Sequence, residues 1–485
     1  MRASLTALIA TGLVATTPAT TSAAALDPSP SPRTQFKARL ADLPTRYFIA
    51  HRGAGAYVAP EDTEQALDRG NSDPDADLLE FDVRVLTDGV GGVWHDPTVD
   101  RVSTSTGSVD DLSSTAFSKL VIDSSSWFGG GVSNAHPILL DQVLSEFGGK
   151  RLLLAHPKDT AAMKLVIDEV TRRGLTDAVQ VQTLSRSDLK LGIDAGLNGQ
   201  LLIQDAAQAQ VDTPAAVKAD GIKRVSIQDK LSDSVIRGYV NAGLLVSVWN
   251  VDRQYRRDQL YALGVRGIDS NDPTYVSGDT ARYRRSRDPF STQTWWYGHI
   301  SQTQSADALT ASKRGRFIAP NWWHVNLGEY PLFVLQGWAS PLPSPKSYTL
   351  KLQIRYDSLG KDRTRWGGVY FSAKNDAAYS DADSALNGGY SAILRTNGTL
   401  GLYRKDAGKT VTLKTLATAA LKKDQVASLH ITVSGSSVTV TRVDGPDKKI
   451  TVKDTKYRGG YVFLGRHASA GHEGPGVSFA NVTVG

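Results

Sequence analysis

Between residues 46 and 278, short apolar runs alternate with longer stretches of helical periodicity. Tyr47–Ala50 and Val179–Thr183 are typical of short buried strands, whereas Ala161–Arg173 has the spacing of a helix. Repeated strand and helix units over this length predict an α/β protein, specifically a (β/α)8 TIM barrel. We count nine strand-like runs, one more than such a barrel needs, and interpret Arg224–Ile227 as the surplus run.

Histidines directly follow two of these runs. His51 and Arg52 come after Tyr47–Ala50, and His95 comes after Gly92–Trp94. The carboxyl ends of barrel strands meet at one mouth, where barrels place their chemistry. We therefore expect both imidazoles to face one substrate, one accepting a proton and the other donating one. A single histidine at a strand end is more often structural, so the prediction rests on the two occurring together.

A pair of carboxylates lies on one face of the strand between these histidines. Apolar and acidic residues alternate in Leu79–Val83, so Glu80 and Asp82 project from the same side. Two carboxylates that close repel each other unless a cation lies between them. Together with Arg52, whose guanidinium can fork onto phosphate oxygens, this set suits cleavage of a phosphodiester.

Five short motifs in this stretch occur in the order typical of a known family. They are HRG at 51–53, PEDT at 60–63, EFDV at 80–83, TDG at 87–89 and HD at 95–96. The order resembles that of the glycerophosphodiester phosphodiesterases, and the likeness continues through 137–140, 248–251 and 264–273. The resemblance implies a barrel fold, a divalent metal ion, and attack on the phosphate by the substrate's own glycerol 2-hydroxyl.

The resemblance also implies roles for individual residues. By position in these motifs it implies catalysis by His51 and His95, substrate contacts from Arg52, Lys158 and Trp249, and metal contacts from Glu61, Glu80, Asp82 and His156. His156 departs from the family's pattern, which has Glu two residues before the lysine. If His156 is a ligand, its nitrogen would favour Mn²⁺ or Zn²⁺ over Ca²⁺ or Mg²⁺. Otherwise it makes a structural hydrogen bond, and water or another carboxylate completes the metal shell.

The segment from Thr98 to Asn134 is rich in Ser, Thr, Gly and Asp. Its length and composition predict an active-site loop or a small insertion beside the barrel mouth. Trp127 and Phe128 near its end either form a wall for the leaving alcohol or pack the loop down.

The pattern changes after residue 281, where helical periodicity nearly disappears and short alternating runs follow one another. We predict a basic linker at 279–294 and an all-β sandwich at 295–485. The order of its strands resembles concanavalin A-like jelly rolls, which implies a binding or spacer module. Trp295, Trp296, Trp322, Trp323 and Trp338 are candidate sugar platforms or packing residues. Because every catalytic candidate precedes Asp272, we expect 281–485 to be dispensable for turnover of a small diester.

The composition and the first residues bear on location. At 485 residues the chain is long enough for two or three domains. Residues 1–25 contain Arg2, an apolar run and small residues up to Ala25, which predicts a secretory signal peptide, followed by a linker at 26–45. The chain has no cysteine, which excludes disulfides and thiolate metal sites, and its net charge of +6 favours anionic surroundings. We expect a secreted monomer without a membrane span or a nucleic-acid partner.

Three functions are compatible with these features. The first is a secreted, metal-dependent phosphodiesterase acting on glycerophosphodiesters, either lipid-derived head groups or wall teichoic acid. The second is a phospholipase D-like enzyme acting on intact lipids. The third is a catalytically impaired barrel that carries a carbohydrate-binding module. The retained polar groups favour the first, since such a set is costly to hold together without a use.

Overall fold

The computed structural model describes most of the chain after residue 37. The described residues are 38–54, 59–122, 135–278, 300–301, 316–318, 322–325, 332–336, 346–377, 388–406, 409–446, 448–467 and 476–485. The predicted signal peptide at 1–25, Trp127, Phe128, Trp295, Trp296 and Trp338 lie outside them. Within the described ranges, no helix has both the length and the apolar character needed to cross a membrane.

Eight parallel strands form a closed barrel, which confirms the predicted fold. They are β1 (Tyr47–Ala50), β2 (Leu78–Val85), β4 (Leu152–Pro157), β5 (Val179–Thr183), β6 (Asn198–Ile203), β7 (Arg224–Gln228), β8 (Leu245–Trp249) and β9 (Gly267–Ser270). The barrel closes because β1 pairs in parallel with both β2 and β9. The helices that accompany it are α1 (Glu64–Ser72), α2 (Ser114–Phe117), α3 (Leu140–Glu146), α4 (Thr160–Arg172), α5 (Arg186–Asp194), α6 (Ala206–Val211), α7 (Pro214–Ala219), α8 (Asp233–Asn241), α9 (Gln254–Leu263) and α10 (Pro273–Ser277).

The surplus strand is not the one predicted. Arg224–Gln228 is the barrel strand β7, which pairs with β6 and β8. The extra strand is β3 (Gly91–Val93), which runs antiparallel to the upper half of β2. A tight turn at Gly89, whose φ is 78°, sends the chain back along β2. The interpretation was wrong because an alternating pattern does not reveal the direction in which a strand runs.

The segment after β3 is a small insertion with a core of its own. Trp94, Val99, Val109, Phe117 and Ile122 are buried together, and the Trp94 and Phe117 rings meet edge to face with centroids 5.9 Å apart. Trp94, a member of this cluster, directly precedes His95, so the core of the insertion anchors the segment that carries His95.

The second part of the chain consists of two antiparallel sheets, as predicted for an all-β domain. One sheet has the order β10 (Ile300–Ser301), β13 (Leu332–Gln336), β22 (Tyr461–Arg466), β15 (Trp366–Ala373), β16 (Gly388–Arg395), β17 (Thr399–Asp406), β18 (Lys409–Ala417). The other has the order β11 (Arg316–Ile318), β12 (Trp322–Val325), β23 (Val477–Val484), β14 (Tyr348–Tyr356), β19 (Val426–Val433), β20 (Val438–Arg442), β21 (Lys448–Val452). Apolar side chains from both sheets, such as Ile354 and Phe371, form one buried core. The likeness to a jelly-roll binding module stays a prediction.

Candidate active site

A cavity of about 170 Å³ lies at the carboxyl ends of the barrel strands. Every predicted site residue except Glu61 lines it, namely His51, Arg52, Glu80, Asp82, His95, His156, Lys158 and Trp249. These groups come from four barrel strands and from β3, which are far apart in sequence. The barrel therefore gathers the predicted chemistry at one mouth.

The acidic pair is positioned by the pleat of β2. Glu80 and Asp82 are each 1% exposed and face the cavity, while Leu79, Phe81 and Val83 belong to the apolar core. The predicted alternation of Leu79–Val83 is therefore present in the strand. It places two carboxylates side by side, each almost fully shielded from water.

The next strand along the barrel, β4, adds a histidine and a lysine. Asp82 and His156 are opposite each other in the β2–β4 register, and His156 Nδ1 lies 3.0 Å from Asp82 Oδ1. Lys158 Nζ lies 2.5 Å from the same oxygen and 3.0 Å from His156 Nδ1. One carboxylate oxygen thus already attracts an ammonium group and an imidazole nitrogen.

The electrostatics of this cluster follow from burial and crowding. Burial and the neighbouring Asp82 charge raise the pKa of Glu80 to about 8. Burial alone would also raise the pKa of Asp82, but Lys158 and His95 hold it well below its usual range. Burial and then Lys158 lower the pKa of His156 to about 4, so its ring is neutral at physiological pH and has a nitrogen lone pair to offer.

Glu80, Asp82 and His156 fit the requirements of a divalent cation. Each offers one ligand atom, and these atoms all lie within 4.8 Å of one another. Two carboxylates and one imidazole form a mixed oxygen and nitrogen donor set of the kind that binds Mg²⁺, Mn²⁺ or Zn²⁺. The arrangement is compatible with His156 as a ligand in place of the family's glutamate.

Glu61, the other predicted metal ligand, lies in a different group. Its carboxylate accepts a hydrogen bond from Arg52 Nη1 at 2.8 Å and is paired with both terminal nitrogens of Arg101, one of them at 3.0 Å. Burial would raise the pKa of Glu61, but Arg101 and Arg52 keep it well below its usual range. In this structure Glu61 anchors two arginines beside the cavity and is not part of the cluster of Glu80, Asp82 and His156.

Arg52 is held in a conformation that few residues adopt. Its φ is 52°, in the left-handed region, and its backbone N–H donates to Glu80 Oε2 at 2.8 Å. The next residue, Gly53, has a φ of 92°, and a Cβ there would lie 2.7 Å from the backbone of Ala66 in α1. The HRG turn therefore requires glycine, and it aims the buried guanidinium between Glu61 and Asp82, 3.4 Å from the latter.

His51 is oriented by a chain of hydrogen bonds that the sequence did not reveal. Asn271 Nδ2 donates to Asp252 Oδ2 at 2.9 Å, so its Oδ1 must be the atom that faces His51 Nδ1, also at 2.9 Å. Because that oxygen only accepts, the hydrogen of a neutral His51 ring lies on Nδ1. Nε2 then keeps its lone pair and can accept a proton.

His95 reaches the mouth by a route different from the one predicted. It follows the antiparallel strand β3 and is not at the end of a barrel strand, yet Trp94 N donates to Asp82 O at 3.1 Å and brings His95 level with the carboxylate pair. His95 Nδ1 lies 2.6 Å from Asp96 Oδ1, and Arg101 Nε donates to Asp96 Oδ2 at 2.5 Å. Burial and then Arg52 lower the pKa of His95.

Trp249 ends β8 and lines the cavity. Its Nε1 donates to Ser226 O at 3.2 Å, which fixes the ring, and Leu184 and Leu202 also line the cavity. The lining thus combines ionisable groups with a few apolar side chains. These apolar side chains are suited to the part of a substrate that carries no phosphate.

Gln182 and Asp269 are polar lining residues that sequence reasoning missed. Gln182 Nε2 donates to Glu80 Oε1 at 3.0 Å, and Gln200 Nε2 donates to Gln182 Oε1 at 2.8 Å. Asp269 is 2% exposed, and its Oδ1 has no hydrogen-bond partner among the residues that the structure describes. Burial, followed by the Glu80 charge, raises the pKa of Asp269 well above the usual range. The glutamines at alternate positions of Val179–Thr183 were a signal of a polar barrel interior.

The barrel segment of this chain is similar in sequence to known proteins. Residues 51–274 match the Glycerophosphoryl diester phosphodiesterase family. YhdW from Bacillus subtilis is 27% identical over 248 residues, which is 48% of this chain and 97% of YhdW. The glycerophosphodiester phosphodiesterase of Caldanaerobacter subterraneus is 26% identical over 231 residues, which is 46% of this chain and 93% of that protein.

Among solved structures, a glycerophosphodiester phosphodiesterase from Agrobacterium tumefaciens is 23% identical, with a TM-score of 0.40 and coverage of 48% of this chain and 99% of that chain. The family match spans all the cavity-lining residues described above, from His51 to Asp269. This chain therefore carries a domain of the glycerophosphoryl diester phosphodiesterase family, and the protein is an enzyme of the phosphodiesterase class.

Proposed function

We propose that the protein is a secreted, metal-dependent phosphodiesterase that converts glycerophosphodiesters to glycerol phosphate and an alcohol. The observation that carries this proposal is the cavity in which His51, His95, Arg52 and Lys158 surround a cluster of two carboxylates and a neutral imidazole. Cations and proton-transfer groups gathered in one small cavity are what cleavage of an anionic diester needs.

The hydrogen-bond partners of the two histidines favour different roles. His51 faces the neutral acceptor Asn271, which keeps Nε2 unprotonated and suits a base. His95 faces the carboxylate of Asp96, which stabilises an imidazolium and suits an acid. In the free protein Arg52 opposes that protonation, and a bound phosphate would offset its charge. His51 would thus take the proton of the attacking 2-hydroxyl and His95 would give one to the leaving oxygen, which yields the alcohol and a cyclic phosphate. Water would then open the cyclic phosphate to glycerol phosphate, with the proton-transfer roles of the two histidines reversed.

Glu80, Asp82 and His156 would hold the metal ion, which supplies positive charge for the phosphate oxygens. The neutral His156 ring favours Mn²⁺ or Zn²⁺, whereas the carboxylates suit Mg²⁺ or Ca²⁺. Arg52, paired with Glu61 and close to Asp82, is held rigidly enough to bind a phosphate oxygen without a large loss of side-chain entropy.

The lining of the cavity bears on the substrate class. The cavity, of about 170 Å³, is compatible with the phosphate and glycerol of a diester. Trp249 and Leu202, which line it, would contact the leaving alcohol. Lipid-derived head groups and teichoic-acid units are both compatible with this cavity. Residues 1–25 support export, and carbohydrate binding by the second domain remains part of the proposal.

The test is hydrolysis of glycerophosphocholine by the purified protein, with and without EDTA and with each of Ca²⁺, Mg²⁺, Mn²⁺ and Zn²⁺ restored in turn. We expect turnover that EDTA removes and at least one metal ion restores. Teichoic-acid oligomers and intact phospholipid serve as comparison substrates. A protein that releases nothing from any diester with any of these ions would support the impaired-barrel alternative instead.

A further inference from the structure

The all-β domain is packed tightly against the barrel. Trp366, Tyr370, Tyr461 and Phe463, all on the sheet that contains β15 and β22, belong to the same buried apolar cluster as barrel residues. These four side chains are therefore buried with barrel residues and are not open to a ligand. The contact does not fit our expectation that residues 281–485 are dispensable.

A single carboxylate of the all-β domain caps a barrel helix. α9 begins after Arg253, whose side chain makes no capping hydrogen bond. Asp376, which is 0% exposed, supplies it instead: its Oδ2 accepts from Gln254 N at 2.6 Å and its Oδ1 accepts from Tyr255 N at 2.7 Å. A carboxylate at a helix N-terminus satisfies free N–H groups and complements the helix dipole.

Three more hydrogen bonds fix the same corner. Tyr275 OH donates to Asp376 Oδ2 at 2.7 Å, and Arg253 Nη1 donates to Asp376 O at 2.6 Å. Tyr461 OH donates to Gln254 Oε1 at 2.9 Å. The start of α9 is thus held by two residues of the all-β domain and by α10 of the barrel.

The chain just before α9 is the one that orients His51. Asp252 accepts from Ser270 Oγ at 3.1 Å, from Asn271 N at 2.8 Å and from Asn271 Nδ2 at 2.9 Å. Asn271 Oδ1 then faces His51 Nδ1. Only Arg253 separates Asp252 from the first capped N–H of α9, so the position of that helix start sets the position of Asp252.

We propose that Asp376 is a positioning residue for catalysis: by capping α9 from the neighbouring domain, it holds Asp252 and Asn271 in register and keeps His51 in the tautomer that can accept a proton. The role rests on the proposed function of His51 as the base. The all-β domain is then a structural part of the active site, whatever else it binds.

The first test compares kinetics on glycerophosphocholine. Misplacement of a catalytic group by about 1 Å can cost about 10²-fold, so Asp376→Ala should lower kcat about 10²-fold and leave KM within about threefold. Asp376→Asn, which keeps one acceptor, should be intermediate. The matched control is Asp444→Asn, because Asp444 accepts from Ser428 N and Arg442 inside the all-β domain, and it should behave like the wild type.

The second test measures the tautomer of His51 directly. Nitrogen-15 spectra of histidine-labelled protein should show His51 in the Nδ1–H form in the wild type and in Asp444→Asn, and in mixed tautomers in Asp376→Ala. If Asp376→Ala does not fold, the His51 tautomer is measured instead in Asp376→Asn and in Tyr461→Phe, which removes one hydroxyl. Inactivity of the wild type would refute the proposed function while the spectra still decide the positioning role. A folded Asp376→Ala protein with wild-type kcat and an unchanged His51 spectrum overturns the inference.

Discussion

Replacing His95 by alanine should slow cleavage of a natural diester and have little effect on a diester with a good leaving group. His95 is bonded to Asp96, which stabilises its protonated ring, and we propose that it protonates the leaving oxygen. An alkoxide such as that of choline needs this proton, whereas a nitrophenolate leaves as a stable anion at neutral pH. The defect of His95→Ala should therefore depend on the leaving group.

The structure sets the size of the expected effect. General acid catalysis contributes about 10²–10⁴-fold. The His95 side chain is 34% exposed, so water can supply part of the missing proton transfer. Lys158, the nearby lining cation, is engaged with Asp82 and His156 and would be a poor substitute. We expect a loss of about 10³-fold, or about 4 kcal/mol in the activation barrier.

The assay measures kcat on glycerophosphocholine and on the p-nitrophenyl ester of glycerol phosphate. His95→Ala should lose about 10³-fold on the first substrate and at most about tenfold on the second. His51→Ala should be slow on both, because the attacking hydroxyl still needs a base. His136→Ala is the control, since His136 bonds to Leu120 O in the insertion and does not line the cavity. Equal losses of His95→Ala on the two substrates would refute the assignment of His95 as the acid.

Four other predictions concern the metal cluster and the partner of His95. EDTA and Glu80→Ala should each abolish turnover, and full activity after dialysis against EDTA would contradict a metal requirement. Because the pKa of Glu80 is raised to about 8, metal binding must displace the Glu80 proton at lower pH. The affinity for the metal ion, measured by calorimetry, should therefore weaken about 50-fold from pH 8 to pH 6. An affinity that does not change with pH would show that Glu80 is already ionised. His156→Glu should shift the metal preference from Mn²⁺ or Zn²⁺ towards Ca²⁺ or Mg²⁺, and an unchanged order of metals would remove His156 from the shell. Asp96→Asn removes a hydrogen bond that raises the pKa of His95, so the basic limb of kcat/KM should move to lower pH; no movement would mean that His95 is not the titrating acid.

Local patterns predicted the parts of the site that depend on one strand. The alternation in β2 determines the positions of Glu80 and Asp82, because side chains two apart always share a face. His51 was predicted because β1 ends in the sequence where it ends in the barrel. His95 was predicted at the mouth where it lies, but on the assumption that it follows a barrel strand. Its strand β3 in fact runs antiparallel to β2.

The missed features depend on contacts between distant segments. Glu61 stays a predicted metal ligand, and the sequence did not reveal that Arg101 from the insertion pairs with its carboxylate. Asn271 orients His51 across the closure between β1 and β9, and Asp376 reaches the barrel from another domain. Nothing in the local composition around these residues indicates such partners, because tertiary packing alone brings them together.

The two segments that carry His51 and His95 both bond to β2, and this has a consequence for local opening of the site. Gly53 N donates to Glu80 O at 2.7 Å and Trp94 N donates to Asp82 O, so the segments carrying the two histidines bind the same strand two residues apart. If either segment detaches from β2, the other segment loses packing contacts and Glu80 and Asp82 become exposed to water. Fluctuations of the two segments are therefore expected to be coupled. The amide protons of Gly53 and Trp94 should then exchange with solvent together, as one cooperative unit. His51 and His95 would then be in place or displaced together. Few molecules would have one of the two histidines in its catalytic position without the other.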